Sequence, residues 1–87
     1  MHMYSIEFTR NALKSLKKID LVYQRLIIEK IEALQINPHE SGNVKALKGV
    51  SGYYRLRVAD YRVIYELNNN MLVILIIDIN HRKDVYR

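Results

Sequence analysis

YYRLRVADYRVIYEL, residues 53–67, is the most informative segment of the chain. Polar and apolar residues alternate on both sides of residues 59–60, a pattern that is typical of two antiparallel strands joined by a tight turn. A two-residue turn places Arg57 directly opposite Arg62, and a four-residue loop gives the same pairing. The segment therefore predicts a β-hairpin in which two arginines face each other.

The predicted hairpin collects its arginines on one side. Alternation along each strand puts Arg55, Arg57 and Arg62 on one face, which we call the arginine face, and leaves an apolar face opposite. Like charges directly opposed across two strands destabilise a sheet, so a compensating interaction is expected. It could be a bound anion, because the planar guanidinium group fits a phosphate. It could equally be an acidic side chain, for which the candidates are Glu66, Asp78 and Asp84.

Two helices are predicted ahead of the hairpin. Residues 4–8 alternate as a short strand, and Thr9 can cap a helix that follows directly. A second helix, with Asp20 as its cap, has apolar residues every three or four positions as far as about Ile36. Pro38 then ends it, because the residue before a proline is disfavoured in helical conformation.

The remaining segments complete a small sheet. Residues 45–48 can begin an extended segment ahead of the hairpin. Residues 71–79 are apolar at nearly every position, which is typical of a central strand covered on both faces. The predicted order is β-α-α-β-β-β, a single α+β domain of residues 1–87 in which an αα-hairpin packs on a mainly antiparallel sheet.

Composition excludes several kinds of site. The chain has 87 residues, which suit one domain, and no cysteine, which excludes disulfides and cysteine-based zinc sites. It has no P-loop, no glycine-rich dinucleotide turn and no HExxH motif, and its three histidines lack metal-ligand spacing. We therefore expect no metal and no cofactor. No apolar run is long enough to cross a membrane and no leader peptide is recognisable, so we expect a cytoplasmic protein without membrane contact.

The net charge of +5 is concentrated in the second half of the chain. Residues 1–44 carry six Lys/Arg and five Asp/Glu, whereas residues 45–87 carry eight and four. A positive field of this kind favours a polyanion or an acidic protein as partner. Solubility is the simpler explanation of the same charge, so charge alone does not assign a function.

Taken together, three segments resemble one protein family. The chain resembles the RelE/ParE superfamily of bacterial and archaeal toxins in these segments. They are the upstream NPHESGNVKALKG, LK followed after four residues by YYRLRVADYRVIYEL, and the C-terminal HRKDVYR. The resemblance covers nearly the whole chain. It implies the same fold, and a type II toxin that is neutralised by an antitoxin encoded beside it. Such an antitoxin wraps an extended, acidic segment around the toxin, and DNA is contacted only through the antitoxin complex.

Two activities occur in the family that the sequence resembles. RelE-like toxins enter the ribosomal A site and cut the mRNA codon there, using the 2′-hydroxyl as nucleophile and leaving a 2′,3′-cyclic phosphate without a metal. ParE-like toxins inhibit DNA gyrase and lack the nuclease residues. The sequence favours the RelE-like activity, with ribosome and mRNA as partners, and gyrase inhibition is the alternative.

The resemblance also implies catalytic residues. Arg62 matches an arginine that stabilises charge in the transition state, and Arg82 matches a tail arginine with a charge-stabilising or acid role. Tyr86 matches a tail tyrosine that stacks on the nucleotide. These three residues are the expected catalytic set.

The expected substrate-binding residues are Arg55, Arg57, His81 and Lys83. Arg55 and Arg57 occupy an alternating pair of basic positions, which in the best-known members are lysines. Arginine stays protonated at physiological pH, so this substitution leaves the general base open. His81 is a candidate, because histidine titrates near neutrality.

Overall fold

The computed structural model describes residues 3–39 and 42–81, which form two helices on one five-stranded sheet. The elements are β1 (Ser5–Phe8), α1 (Arg10–Lys17), α2 (Leu21–Ala33), β2 (Val44–Ala46), β3 (Tyr53–Val58), β4 (Tyr61–Asn68) and β5 (Val73–His81). The strand order is β1-β5-β4-β3-β2, with β1 parallel to β5 and the other neighbours antiparallel. The predicted α+β class and αα-hairpin are confirmed, and β2 adds a short strand at one edge.

The central hairpin has the register that its sequence predicts. Arg57 pairs with Arg62, and Val58 pairs with Tyr61, which leaves a two-residue turn between β3 and β4. Ala59 in this turn has a φ of 52°, a left-handed conformation that is unusual for a residue with a Cβ atom. The turn geometry therefore outweighs the local preference of alanine.

Thr9 ties the start of α1 to the middle of the sheet. Its Oγ1 accepts a hydrogen bond from the Ala12 amide at 3.1 Å, which confirms it as the helix cap, and donates one to the Ile77 carbonyl at 2.7 Å. Ile77 is the extra residue of a β-bulge, because Ile64 pairs with Asp78 whereas Tyr65 pairs with Ile76. The Thr9 hydroxyl thus provides a hydrogen-bond donor for the carbonyl group of the bulge residue in β5.

The second helix is shorter than its periodicity indicates. It ends at Ala33 instead of about Ile36, because the amides of Leu34 and Gln35 bond to carbonyls three residues back and tighten the last turn. Asp20 occupies the N-cap position, but its side chain makes no capping hydrogen bond.

Both helices pack on the same face of the sheet. Ala12 and Leu16 of α1 and Ile27 and Ile31 of α2 are buried in one core. From the sheet this core receives Leu56, Val58, Val63, Tyr65, Leu67, Ile74, Ile76 and Ile79. The expectation that β5 is covered on both faces is therefore wrong for the described residues. Two helices supply a single layer, and Leu75 and Ile77 stay only half-buried.

Neither helix within the described ranges is long and apolar enough to cross a membrane.

Candidate functional site

The arginine face lies on the side of the sheet that the helices leave open. Arg57 and Arg62 are direct Cα partners, and Arg55 is two residues before Arg57 on β3, opposite Ile64. Residues at this spacing point to the same side of a sheet, which confirms the shared face. Arg57 is exposed, whereas Arg55 and Arg62 are half-buried.

A fourth cation extends this face across the sheet. Lys45 of β2 is the Cα partner of Arg55, so its side chain emerges on the same side. We call Lys45, Arg55, Arg57 and Arg62 the cationic row. Sequence reasoning missed Lys45, because the loop of residues 47–52 that joins β2 to β3 hides the register between the two strands.

Within the described residues, the acidic candidates leave Arg55 and Arg57 without an ion pair. The Oδ1 atom of Asp78 accepts hydrogen bonds from Asn11 Nδ2 and from the Ile79 amide, both at 2.9 Å. Glu66 is four residues along β4 from Arg62, roughly 13 Å away at the rise of an antiparallel strand. Across residues 3–39 and 42–81, Arg55 and Arg57 form no ion pair with a carboxylate. Asp84 lies outside the described residues.

Arg55 carries a polar atom with an unmet requirement. Its Nε is buried and has no hydrogen-bond partner in the structure. Leaving a buried donor unsatisfied costs free energy on the order of 1–3 kcal/mol, and more when the donor belongs to a charged group. Its charged group also lies opposite another cation, Lys45. An acceptor that reached this position would relieve both penalties.

The structure does not bring His81 to the arginine face. His81 is the Cα partner of Tyr61, on the helix-facing side, and the two rings meet edge-on with centroids 4.9 Å apart. The neighbouring Asn80 is instead the partner of Arg62. His81 lines a cleft of about 320 Å³ together with Lys18 and Ile19 of the helix layer. Strand alternation therefore places His81, the candidate general base, on the opposite face of the sheet from the arginines.

The other three sequence candidates, Arg82, Lys83 and Tyr86, lie outside the described residues. Within the described ranges, no group of three or more His, Asp or Glu side chains is arranged to hold a metal ion.

Comparison with known proteins identifies the family. A family model described as the ParE toxin of the type II toxin–antitoxin system parDE matches residues 6–86. The chain belongs to the RelE/ParE superfamily of type II toxins. The cationic row thus lies on the open sheet face of a RelE/ParE toxin.

Individual relatives agree with this membership. A protein assigned as toxin RelE1 in Methanocaldococcus jannaschii is 31% identical over 86 residues, which cover 97% of this chain and 96% of that protein. Toxin RelE3 of the same organism is 30% identical over 82 residues, which cover 91% of each chain.

Solved structures match the fold closely. The archaeal RelE–RelB complex from Pyrococcus horikoshii matches with a TM-score of 0.80 at 30% identity, covering 92% of this chain and 96% of that chain. A mutant of Escherichia coli toxin RelE in the free state also gives 0.80, at 20% identity, covering 94% and 86%. The two-helix, five-stranded architecture is therefore that of RelE toxins.

Proposed function

We propose that this protein is a ribosome-dependent mRNA endonuclease, the toxin of a type II pair, which cuts the codon in the ribosomal A site. The observation that carries the proposal is the direct opposition of Arg57 and Arg62 on a sheet face that no described helix covers. Opposed like charges weaken a free sheet but become favourable when a phosphate backbone lies between them. The proposed target places the protein in the cytoplasm.

The proposed reaction needs charge stabilisation more than it needs a metal. The 2′-hydroxyl attacks the adjacent phosphorus, the bond to the leaving 5′-oxygen breaks, and a 2′,3′-cyclic phosphate forms. Arg62 and Arg82 stabilise the extra negative charge of the pentavalent phosphorane, and one proton must reach the leaving oxygen. Arg57 holds the substrate phosphate, and Tyr86 stacks on a base and orients the nucleotide.

The general base is not supplied by His81 in this proposal. Its ring lies on the helix side, in contact with Tyr61. Positioning of the 2′-hydroxyl by the arginines therefore accounts for most of the acceleration, with a proton acceptor on the ribosome or in solvent. This predicts a rate that depends strongly on the ribosome.

The proposed partner is a cognate antitoxin with an acidic segment. The Pyrococcus horikoshii relative is a complex of RelE with RelB. In this chain, acidic side chains of such a segment would meet the cationic row and offset its internal repulsion. Contact with DNA would then occur only through the antitoxin.

The deciding experiment uses a purified translation system with mRNA paused on ribosomes. Primer extension is expected to show a cut within the A-site codon that requires ribosomes and disappears with Arg62→Ala. Arg25→Ala, an exposed arginine on α2, is the matched control and should cut normally. No cut by folded, antitoxin-free protein, or full activity of Arg62→Ala, would reject the proposal.

Inhibition of DNA gyrase is the second candidate. Two observations favour it: the matching family model is described as a ParE toxin, and the alternating basic pair is arginine where the best-known nucleases have lysine. A supercoiling assay with purified gyrase separates the two functions. Loss of supercoiling with mRNA left intact would establish gyrase inhibition.

A further inference from the structure

A second pair of opposed cations lies beside the first. Lys45 and Arg55 are direct Cα partners across β2 and β3, on the face that also carries Arg57 and Arg62. Neither Lys45 nor Arg55 forms an ion pair in the parts of the chain that the structure describes. The open face therefore contains two adjacent like-charge pairs, and the Lys45–Arg55 pair costs stability in the free protein.

The unsatisfied Nε atom of Arg55 is an independent indication of a ligand. This atom is buried and has no hydrogen-bond partner, but the side chain is only half-buried, so a phosphate reaches Nε when the guanidinium group turns outward. A buried donor without a partner is rare in native proteins and calls for an acceptor. An oxygen of a phosphate group is the acceptor that an arginine beside a lysine binds best.

We propose that Lys45 and Arg55 form a second phosphate subsite, which binds the RNA phosphate next to the one held by Arg57 and Arg62. The inference rests on the proposed nuclease function and extends it to a named neighbouring subsite. Lys45 is a binding and positioning residue here, and it does not touch the reacting atoms.

The two cation pairs are offset along the strands as well as across them. Adjacent strands are about 4.8 Å apart and Arg55 and Arg57 are two residues apart on β3, so the cationic row crosses β2, β3 and β4 obliquely, with roughly 8 Å between the midpoints of its two pairs. A single-stranded backbone that followed the row would cross the strands and place consecutive phosphates over consecutive cation pairs. An acceptor at the Lys45–Arg55 pair would then fix the position of the scissile phosphate at Arg62.

The test compares ligands with one and two phosphates. A 2′-deoxy dinucleotide has one internucleotide phosphate, a 2′-deoxy trinucleotide has two, and neither can be cleaved by 2′-hydroxyl attack. Binding is measured by NMR titration of the full chain. The Arg55 Nε–H signal is followed and is assigned by its absence in Arg55→Lys. The variant is Lys45→Ala, and Lys30→Ala, an exposed lysine on α2, is the matched control.

We expect the trinucleotide to shift the Arg55 Nε–H signal and to bind about threefold more tightly than the dinucleotide, as for one exposed ion pair. Lys45→Ala should abolish this advantage and raise the KM for A-site cleavage with little change in kcat, while Lys30→Ala behaves as wild type. Thermal melting should show Lys45→Ala to be at least as stable as wild type, because it removes an opposed charge.

The remaining outcomes distinguish failure of the phosphate subsite from failure of the nuclease function. If wild-type protein cuts mRNA but binds both ligands equally, or if the Arg55 signal does not move, the subsite is rejected and the nuclease function stands. If the trinucleotide advantage depends on Lys45 but no mRNA is cut, the subsite stands and the nuclease function is rejected. Failure of both measurements rejects both proposals.

Discussion

Arg57 and Arg62 are direct partners in adjacent antiparallel strands, with their guanidinium groups on the same open face of the sheet. This pairing is unfavourable for folding, since like charges directly opposed across strands repel each other. The hairpin keeps the pairing because the same register buries Leu56 and Val63 against the helices. The register that packs the core therefore also places the two arginines side by side, where we propose that an anion binds.

Replacing one member of this pair should separate stability from activity. Arg57→Glu places a carboxylate opposite Arg62, so we expect the free energy of unfolding to rise by about 0.5–1 kcal/mol. The same change should weaken or abolish A-site cleavage, because the substrate phosphate would meet a negative charge. Urea denaturation and the cleavage assay measure the two effects.

Lys30→Glu is the control for charge reversal in itself. Lys30 lies in the last turn of α2, where a positive charge is mildly favourable, so its reversal should lower stability slightly and leave cleavage unchanged. A loss of stability in Arg57→Glu as large as that in Lys30→Glu would contradict the repulsion argument.

The hydroxyl of Tyr65 should matter for stability. Tyr65 is fully buried, donates a hydrogen bond of 2.7 Å to the Pro38 carbonyl, and stacks on Tyr54 with ring centroids 5.7 Å apart. Tyr65→Phe leaves that carbonyl unsatisfied, at an expected cost of about 1–2 kcal/mol in the free energy of unfolding. Tyr4→Phe, which removes an exposed hydrogen bond to Asn69, is the control and should cost less. Equal losses in both variants would show that burial does not set the cost.

Of the N-caps of the two described helices, Thr9 should contribute more to stability than Asp20. Thr9→Val keeps the shape of the side chain but removes the bonds to the Ala12 amide and to the Ile77 carbonyl. We expect a loss of about 1–2 kcal/mol, together with faster hydrogen exchange of the Ala12 amide. Asp20→Ala, at a cap position without a side-chain hydrogen bond, should change stability less. Slow exchange at Ala12 in Thr9→Val would disprove the capping role.

The turn of the hairpin can be improved. Ala59 has a φ of 52°, which glycine adopts without the steric penalty of a Cβ atom. We expect Ala59→Gly to stabilise the protein by about 0.5–1 kcal/mol after the greater freedom of glycine in the unfolded chain is subtracted. Ala46→Gly, in the regular strand β2, should instead destabilise it. Thermal denaturation of the two variants should therefore shift in opposite directions.

The central hairpin could be predicted from sequence because its determinants are local. The two-residue period of the strands and the short turn set the opposition of Arg57 and Arg62 within a few residues of each other. The cap at Thr9 was equally local, since its partner Ala12 is three residues away.

The remaining features depend on contacts between segments that are distant in sequence. Lys45 meets Arg55 only after a loop whose length says nothing about register, and Asp78 is engaged by Asn11 from a helix that precedes it by more than sixty residues. His81 falls on the helix side because β5 pairs with β4 in a register that only the assembled sheet determines. Periodicity thus determined which residues share a strand face, whereas tertiary packing decided which faces and which charges meet.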